Sequence, residues 1–272
     1  RINKISLFYS LNLIRMKYRN CLTILLCTLF AGSVFSQSIE KTVEGNNAFA
    51  FELFKNVFEK ESNVFLSPFS ISSALAMTYA GARNETEKQM SKVLHFDLNQ
   101  KNTHQGFFEI NSELKKCKSN SEIELSIANA IWKREGSSFK KDFLDINKKY
   151  YSTDLFPLKG AKPINEWAAK NTKNKITEIV TEGDLSDATM VLTNAIYVKG
   201  DWLNSFNEKE TRKSMFKTAN GKEIETDMMF QVNQVGYFED ENNQVIDLPY
   251  KGETMSMTII LPKESNSISK LS

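Results

Sequence analysis

The sequence predicts an α+β fold, in which amphipathic helices pack against strands that are largely buried on both faces. Apolar residues recur at helical spacing over residues 46–60, whereas residues 122–133 and 190–199 form apolar runs of strand length. Over residues 235–261, short apolar runs alternate with turn residues, which is typical of an antiparallel meander. With 272 residues, of which 41% are hydrophobic and 25% charged, the chain can bury a large core.

Residues 63–89 are the stretch around which we expect the fold to be organised. Residues 63–66 predict a short buried strand, and Ser67 and Pro68 then predict the N-cap and first position of a helix. This helix is rich in serine and alanine, so it can approach a sheet closely, and its buried hydroxyls then need hydrogen-bond partners. A capping box at Thr86 predicts the start of the next helix. The predicted apolar face of the first helix comprises Ile71, Ala74, Leu75, Met77, Thr78 and Ala82.

The remaining elements follow from the same patterns. Helical spacing is found at residues 107–114, 139–150 and 161–180. Residues 155–158 predict a short edge strand. Asn220-Gly221 lies between two strand patterns and predicts a hairpin with a type I′ turn, since both residue types tolerate positive φ.

The N-terminus predicts a secreted protein. Residues 1–15 contain no methionine and are interpreted as a translated leader, while residues 16–36 have the basic start, apolar run and small-residue end of a signal peptide. Cleavage is expected between Ser36 and Gln37. The alternative is an N-terminal membrane anchor, which is disfavoured because the apolar run over residues 21–31 is too short to span a bilayer.

Removal of the first 36 residues leaves 30 basic and 33 acidic residues, a net charge of −3. The basic pI of the whole sequence is therefore no argument for a nucleic-acid or membrane partner of the secreted form, and we expect neither partner. Cys117 then remains alone, so no intrachain disulfide is possible. The lysines around Cys117 favour a reactive thiolate, although a solvated thiol on a charged turn is the simpler interpretation.

No catalytic constellation is found in the sequence. His95 and His104 are its only histidines, both are interpreted as surface residues, and the HExxH, GxSxG, P-loop, GxGxxG and CxxC motifs do not occur. We therefore expect no enzyme activity, no catalytic residues, no metal site and no cofactor. Asn84 begins an Asn-Glu-Thr sequon and is a candidate glycosylation site, with its occupancy open.

The stretch NVFLSPFSISSALAMTYAGARNETEKQM closely resembles the start of the serpin fold, where a strand of sheet B runs into helix B beneath sheet A. LTNAIYVKGDWLNSF, over residues 192–206, resembles the serpin strand 3A and breach signature. The resemblance covers residues 46–263. It implies a large mixed sheet A with helices A–F, plus sheets B and C. Helix F would be INEWAAKNTKNKITEIV, lying across sheet A. Residues 37–272 would be the N-terminal portion of a serpin domain that is incomplete at its C-terminus.

The resemblance also implies a function, that of a serine protease inhibitor. In a serpin, a target protease cleaves an exposed reactive loop, which inserts into sheet A as an extra strand and traps the acyl-enzyme. Ser67, Ser70 and Asn194 match the shutter, where sheet A opens, and Trp202 matches the breach. The reactive loop would lie beyond Ser272, so the reactive site and the target remain unknown.

Three alternatives remain open. A non-inhibitory serpin would act as a carrier, storage protein or chaperone, and residues of the reactive-loop hinge would separate it from an inhibitor. A secreted binding module of unrelated fold predicts that residues 37–272 fold cooperatively as they stand. Some serpins bind glycosaminoglycans at helix D. In this sequence the only basic cluster at the matching place is a small one, formed by Lys115, Lys116 and Lys118, and a solvated helix end explains it equally well. A glycosaminoglycan partner is therefore possible but not favoured.

Overall fold

The computed structural model describes residues 29–58, 63–120, 122–218 and 220–263, without the side chains of residues 29–36 and 118–120. The helices within these ranges are α1 (Leu29–Val57), α2 (Pro68–Tyr79), α3 (Asn84–Val93), α4 (Gln100–Asn120), α5 (Lys141–Tyr151) and α6 (Ala161–Asn171). The strands are β1 (Glu124–Lys133), β2 (Asp154–Pro157), β3 (Met190–Lys199), β4 (Arg212–Lys217), β5 (Glu223–Met228), β6 (Gly236–Glu239), β7 (Asn243–Pro249) and β8 (Ser256–Pro262).

The central sheet has the order β2-β1-β3, with β2 parallel and β3 antiparallel to β1. Both long strands and the short edge strand are therefore confirmed. Helices cover the two faces of this sheet. On one face, Ala130 and Trp132 pack against Ile164 of α6. On the other face, Ile131 packs with Ala80, which directly follows α2, and with Phe143 of α5.

Helix α2 begins at Pro68 with Ser67 as its N-cap, as predicted. Its predicted apolar face is only partly right. The most buried residues are Ser72, Ser73, Ala76, Met77 and Tyr79. Ile71 and Leu75 are each 37% exposed. The small residues face the neighbouring elements because only a slim helix surface can approach them closely, and the bulkier pair lies toward the surface of the described structure.

Helices α1 and α4 cross closely at a glycine. A Cβ atom on Gly106 would lie 1.9 Å from Oγ1 of Thr42 and 2.9 Å from the backbone oxygen of Ser38. Both contact atoms belong to α1, and the Thr42 hydroxyl is held by a 2.8 Å bond to the carbonyl of Ser38. A side chain at position 106 would therefore push the two helices apart.

Two predictions on either side of α2 differ from the structure, namely the strand before it and the start of the helix after it. Residues 63–66 form no strand, because no described strand lies beside them in a sheet and a strand requires a hydrogen-bonded neighbour. Phe65 is 88% exposed. Helix α3 begins at Asn84, two residues before the predicted capping box at Thr86. Its N-cap position is occupied by Arg83, which makes no side-chain cap bond.

The helix predicted over residues 161–180 is shorter in the structure. Helix α6 ends at Asn171, and Lys173 and Asn174 follow with φ values of 51° and 60°. This left-handed conformation ends a helix. The chain then returns along α6, where Asn165 accepts hydrogen bonds from the backbone nitrogens of Ile179 at 2.9 Å and Val180 at 3.2 Å.

The C-terminal strands follow the prediction, except at one turn. The meander has the order β6-β7-β8 and joins the end of the central sheet through a bridge between Trp202 and Tyr250. The hairpin of β4 and β5 is confirmed, but its loop is longer than a two-residue type I′ turn. Thr218 and Lys222 pair across the loop through a 2.8 Å backbone bond. Gly221 supplies the positive φ of 84°.

Both ends of the chain remain matters of prediction. Residues 1–28 and 264–272 lie outside the described residues, and helix α1 runs through Ser36 and Gln37. In the part of the chain that is described, no helix is both long and apolar enough to cross a membrane.

The α1–α4 crossing predicts that Gly106→Ala destabilises the protein. Alanine in a helix is ordinarily about 1 kcal/mol more favourable than glycine, whereas overpacking costs about 1–3 kcal/mol. We expect a lower melting temperature for Gly106→Ala. Gly183→Ala is the control, because a Cβ there would meet only Oγ1 of Thr181, at 3.7 Å. A higher melting temperature for Gly106→Ala would contradict the close approach.

Candidate functional site between α2 and β3

The structure brings two of the three predicted shutter residues together. Ser70 lies in the first turn of α2, and its hydroxyl donates a hydrogen bond to Oδ1 of Asn194 in the middle of β3. Ser67 does not reach Asn194. It is exposed, and its hydroxyl accepts a 3.3 Å hydrogen bond from the backbone nitrogen of Ser70, so its contact is that of a helix cap.

Asn129 is a third member of this site and was not among the residues predicted from the sequence. It lies opposite Asn194 in the β1–β3 register, is 5% exposed, and accepts a 2.7 Å hydrogen bond from Nδ2 of Asn194. Its own Nδ2 donates a 2.8 Å bond to the carbonyl of Tyr151. We call the chain formed by Ser70, Asn194, Asn129 and the Tyr151 carbonyl the polar seam. A sequence signal existed, since IANAIW in β1 and LTNAIY in β3 each place asparagine before Ala-Ile.

The polar seam interrupts apolar rows on the face of the sheet that carries α2. Ile127 of β1 and Ile196 of β3, which are paired in the register, line a cavity of about 300 Å³ beside Pro68. A polar group in such surroundings is costly unless it is bonded, so the amides tie the position of β3 to that of α2. Hydrogen bonds can also be exchanged for others when two elements part, which apolar contacts do not require.

Trp202, the predicted breach residue, lies just beyond the C-terminal end of β3. Its ring stacks on Tyr250, with centroids 4.8 Å apart and planes 10° from parallel, and meets Phe206 edge-on at 6.1 Å. It packs on the buried pair Ile123 and Leu125 at the start of β1. These contacts join the end of the central sheet to the meander.

The prediction that His104 is a surface residue is wrong. The ring is 1% exposed, and its Nδ1 lies 2.7 Å from the hydroxyl of Tyr151. Burial, with a smaller contribution from the nearby charge of Arg83, lowers the pKa of His104 from 6.5 to about 4. Helical spacing is the sequence feature that could have predicted this burial, because His104 precedes the buried Phe107 by one helical turn.

The other candidate positions lie apart from the polar seam. Asn84 is exposed at the start of α3, and Cys117 is half-buried within α4 rather than on a turn. Lys115 and Lys116 are exposed, and Lys116 pairs with Glu113 at 2.7 Å. No group of His, Cys, Asp or Glu side chains suited to a metal ion occurs within the described ranges.

The family model described as "Serpin (serine protease inhibitor)" matches residues 44–272. The chain belongs to the serpin family. This serpin is 38% identical over 230 residues to the leukocyte elastase inhibitor of Xenopus laevis, covering 80% of this chain. It is 35% identical over 260 residues to an uncharacterized serpin-like protein of Methanosarcina mazei, covering 91% of this chain.

A solved structure of similar fold is AtSerpin1 of Arabidopsis in its native stressed conformation. The TM-score is 0.74 at 26% identity, covering 87% of this chain and 63% of that one. The serpin described here spans 60% of the length of each of the two relatives from Xenopus and Methanosarcina. The serpin fold, with its mixed sheet between helices, is thereby confirmed.

The polar seam predicts that the two asparagines act as one unit. Asn129→Ala and Asn194→Ala should each lower the free energy of unfolding by about 1–3 kcal/mol, because each removes one hydrogen-bond partner from the facing asparagine. The loss of free energy of unfolding in the double variant should be smaller than the sum of the two single losses, with a coupling energy of about 0.5–3 kcal/mol. Urea denaturation measures all three variants. Asn204→Ala, at an exposed position, serves as the control and should change little. Strict additivity would contradict a shared network.

Proposed function

We propose that the whole protein is a secreted serine protease inhibitor that accepts its own cleaved reactive loop as a new strand beside β3. The observation that carries this proposal is the position of β3. In a chain of the serpin family, this strand pairs with β1 on one side and with no described residue on the other. An unpaired strand edge is a template for a further strand.

The chemistry would be supplied by the target protease. Its active-site serine attacks the scissile carbonyl of the reactive loop, an ester forms as the peptide bond breaks, and the new amino terminus leaves with a proton. Insertion of the loop would then carry the attached protease away before water can hydrolyse the ester. The inhibitor contributes no catalytic group, which agrees with the sequence, where no catalytic motif occurs. We place the reactive loop beyond Ser272.

In this proposal the polar seam sets the resistance of the sheet to opening. A new strand beside β3 requires β3 to shift over α2, and the contact that must change is the one between Ser70 and Asn194. A hydroxyl and an amide can find new hydrogen-bond partners after such a shift, so the seam holds the closed sheet without preventing its rearrangement. Trp202 would steady the end of the sheet where β3 meets the meander.

Two further features support the proposal. The Xenopus relative is named as an inhibitor of leukocyte elastase, which favours inhibition over a carrier or storage role. The signal-peptide pattern of residues 16–36 supports secretion, and the exposed Asn84 is open to glycosylation in the secretory pathway.

Incubation with trypsin-, chymotrypsin- and elastase-like enzymes tests the proposal. The protein expressed from its whole coding sequence should form an adduct with at least one enzyme that survives a denaturing gel. A protease whose active-site serine is chemically blocked is the control and should form none. Residues 37–272 alone should form no adduct and should aggregate, because the apolar edge of β3 lacks a partner among the described residues.

Two outcomes would contradict the proposal. Cleavage of the whole protein by every enzyme without an adduct would favour the non-inhibitory alternative. An adduct from residues 37–272 alone would place the reactive loop within the present sequence. A sharp two-state melt of that segment would argue against its predicted aggregation.

A further inference from the structure

His104 occupies a closed aromatic compartment between α2, α4 and α5. The centroids of the Tyr79, Tyr150 and Tyr151 rings lie 6.0, 5.9 and 5.7 Å from the centroid of its ring. Nδ1 is hydrogen-bonded to the Tyr151 hydroxyl, whereas Nε2 is buried and has no hydrogen-bond partner within the described residues. The compartment therefore accommodates a neutral imidazole and gives a second N–H group nothing to bind.

No charged group around this compartment pairs with His104 within the described residues. Tyr79 comes from α2, and its pKa is raised by burial and, to a smaller extent, by the charge of Glu87 of α3. From the turn between α2 and α3, the guanidinium of Arg83 donates to the carbonyls of Ala80 and Ala82 and acts unfavourably on a charged His104. Helix α5 contributes Tyr150 and Tyr151. The hydroxyl of Tyr150 lies 3.1 Å from Nζ of Lys149. No carboxylate bonds to His104 in the described part of the chain.

Tyr151 links this compartment to the polar seam. It is the last residue of α5, and burial raises the pKa of its hydroxyl well above 10, so the hydroxyl stays protonated. Its side chain bonds to His104, and its carbonyl accepts the 2.8 Å bond from Asn129. Any displacement of Tyr151 therefore acts on Asn129 and, through it, on Asn194.

Protonation of His104 would turn both ring nitrogens into donors and place an unpaired cation near Arg83. The pKa is about 4 in the folded protein and 6.5 ordinarily. A segment that opens and exposes the ring therefore binds a proton below pH 6.5, while the closed segment does not until about pH 4. The stabilisation from the neutral ring is complete above pH 6.5 and is lost as the pH falls toward 4.

We propose that neutral His104 stabilises the closed polar seam and that protonation of His104 in acid promotes its opening. When the α4–α5 contact opens, His104 takes up a proton, Tyr151 withdraws, and Asn129 loses its carbonyl partner. Acid thereby makes the separation of β1 and β3 from α2 easier. This inference does not depend on protease inhibition, and its test measures only the opening of the sheet.

The test is hydrogen exchange of residues 124–133, with rates normalised at each pH to those of an unstructured peptide. Between about pH 6.5 and 4, protection should fall by up to about tenfold per pH unit, because one proton is taken up on opening. His104→Gln should remove this dependence, since glutamine can bond Tyr151 but does not titrate. His95→Gln is the control and should retain the dependence, because His95 lies outside this compartment, next to Glu52.

Tyr151→Phe tests the link without removing the titrating group. NMR titration should show that His104 still has a depressed pKa in this variant, while the pH dependence in residues 124–133 is reduced. The Tyr151→Phe measurement still tests the proposal if His104→Gln fails to fold. The proposal would be overturned by full pH dependence in Tyr151→Phe, by its persistence in a folded His104→Gln, or by an equal acid effect on the β7–β8 ladder.

Discussion

The hydrogen bond from Ser70 to Asn194 is the contact on which the arrangement of the central sheet depends. It joins the first turn of α2 to the middle of β3, the strand with an unpaired edge among the described residues. A slip of β3 by one residue would turn Asn194 to the opposite face of the sheet, so this bond also fixes the register of the strand. The remaining bonds of the seam follow, because each buried amide requires its own partner.

The opposite face of the sheet is held in another way. Trp132 stacks on Phe156, with ring centroids 4.8 Å apart and planes inclined by 30°, and meets Trp167 of α6 edge-on with centroids 6.3 Å apart. Its Nε1 donates a hydrogen bond to the hydroxyl of Thr193. The carboxylate of Glu182 accepts a 2.8 Å bond from the first backbone nitrogen of α6. This face combines apolar contacts with separate hydrogen bonds, whereas on the face toward α2 the hydrogen bonds form one chain from Ser70 through Asn194 and Asn129 to Tyr151. A movement of β3 over α2 would therefore have to break or exchange the hydrogen bonds of the polar seam.

The sequence predicted elements best where local pattern and tertiary context agree. Both long strands were predicted because continuous apolar runs of that length suit a sheet covered on both faces, and Ser67 and Pro68 specify the start of α2 locally. Predictions failed where the answer lay in distant contacts or in a backbone conformation that residue patterns do not encode. The early end of α6 depends on a left-handed pair, Lys173 and Asn174, whose conformation no periodicity reveals.

The candidate site was predictable in part for the same reason. Ser70 and Asn194 were identified through a family resemblance, and their contact across 124 positions in sequence is visible only in the fold. Asn129 carried a readable signal, an asparagine before Ala-Ile in a paired strand. For His104 the sequence offered only its helical spacing to Phe107, because its sequence neighbours are polar and its burial arises from tyrosines of α2 and α5.

Hydrogen exchange at neutral pH in Ser70→Ala and Ser67→Ala tests whether the bond from Ser70 to Asn194 holds β3 on α2. The two variants lose the same hydroxyl within the same turn, but only Ser70 bonds to β3. The account predicts faster exchange in residues 190–199 for Ser70→Ala, with the β7–β8 ladder unchanged. Ser67→Ala should speed exchange only in the first turn of α2, where a cap is lost. Equal protection of residues 190–199 in Ser70→Ala and the unmodified protein would contradict the claim that this bond holds β3 on α2.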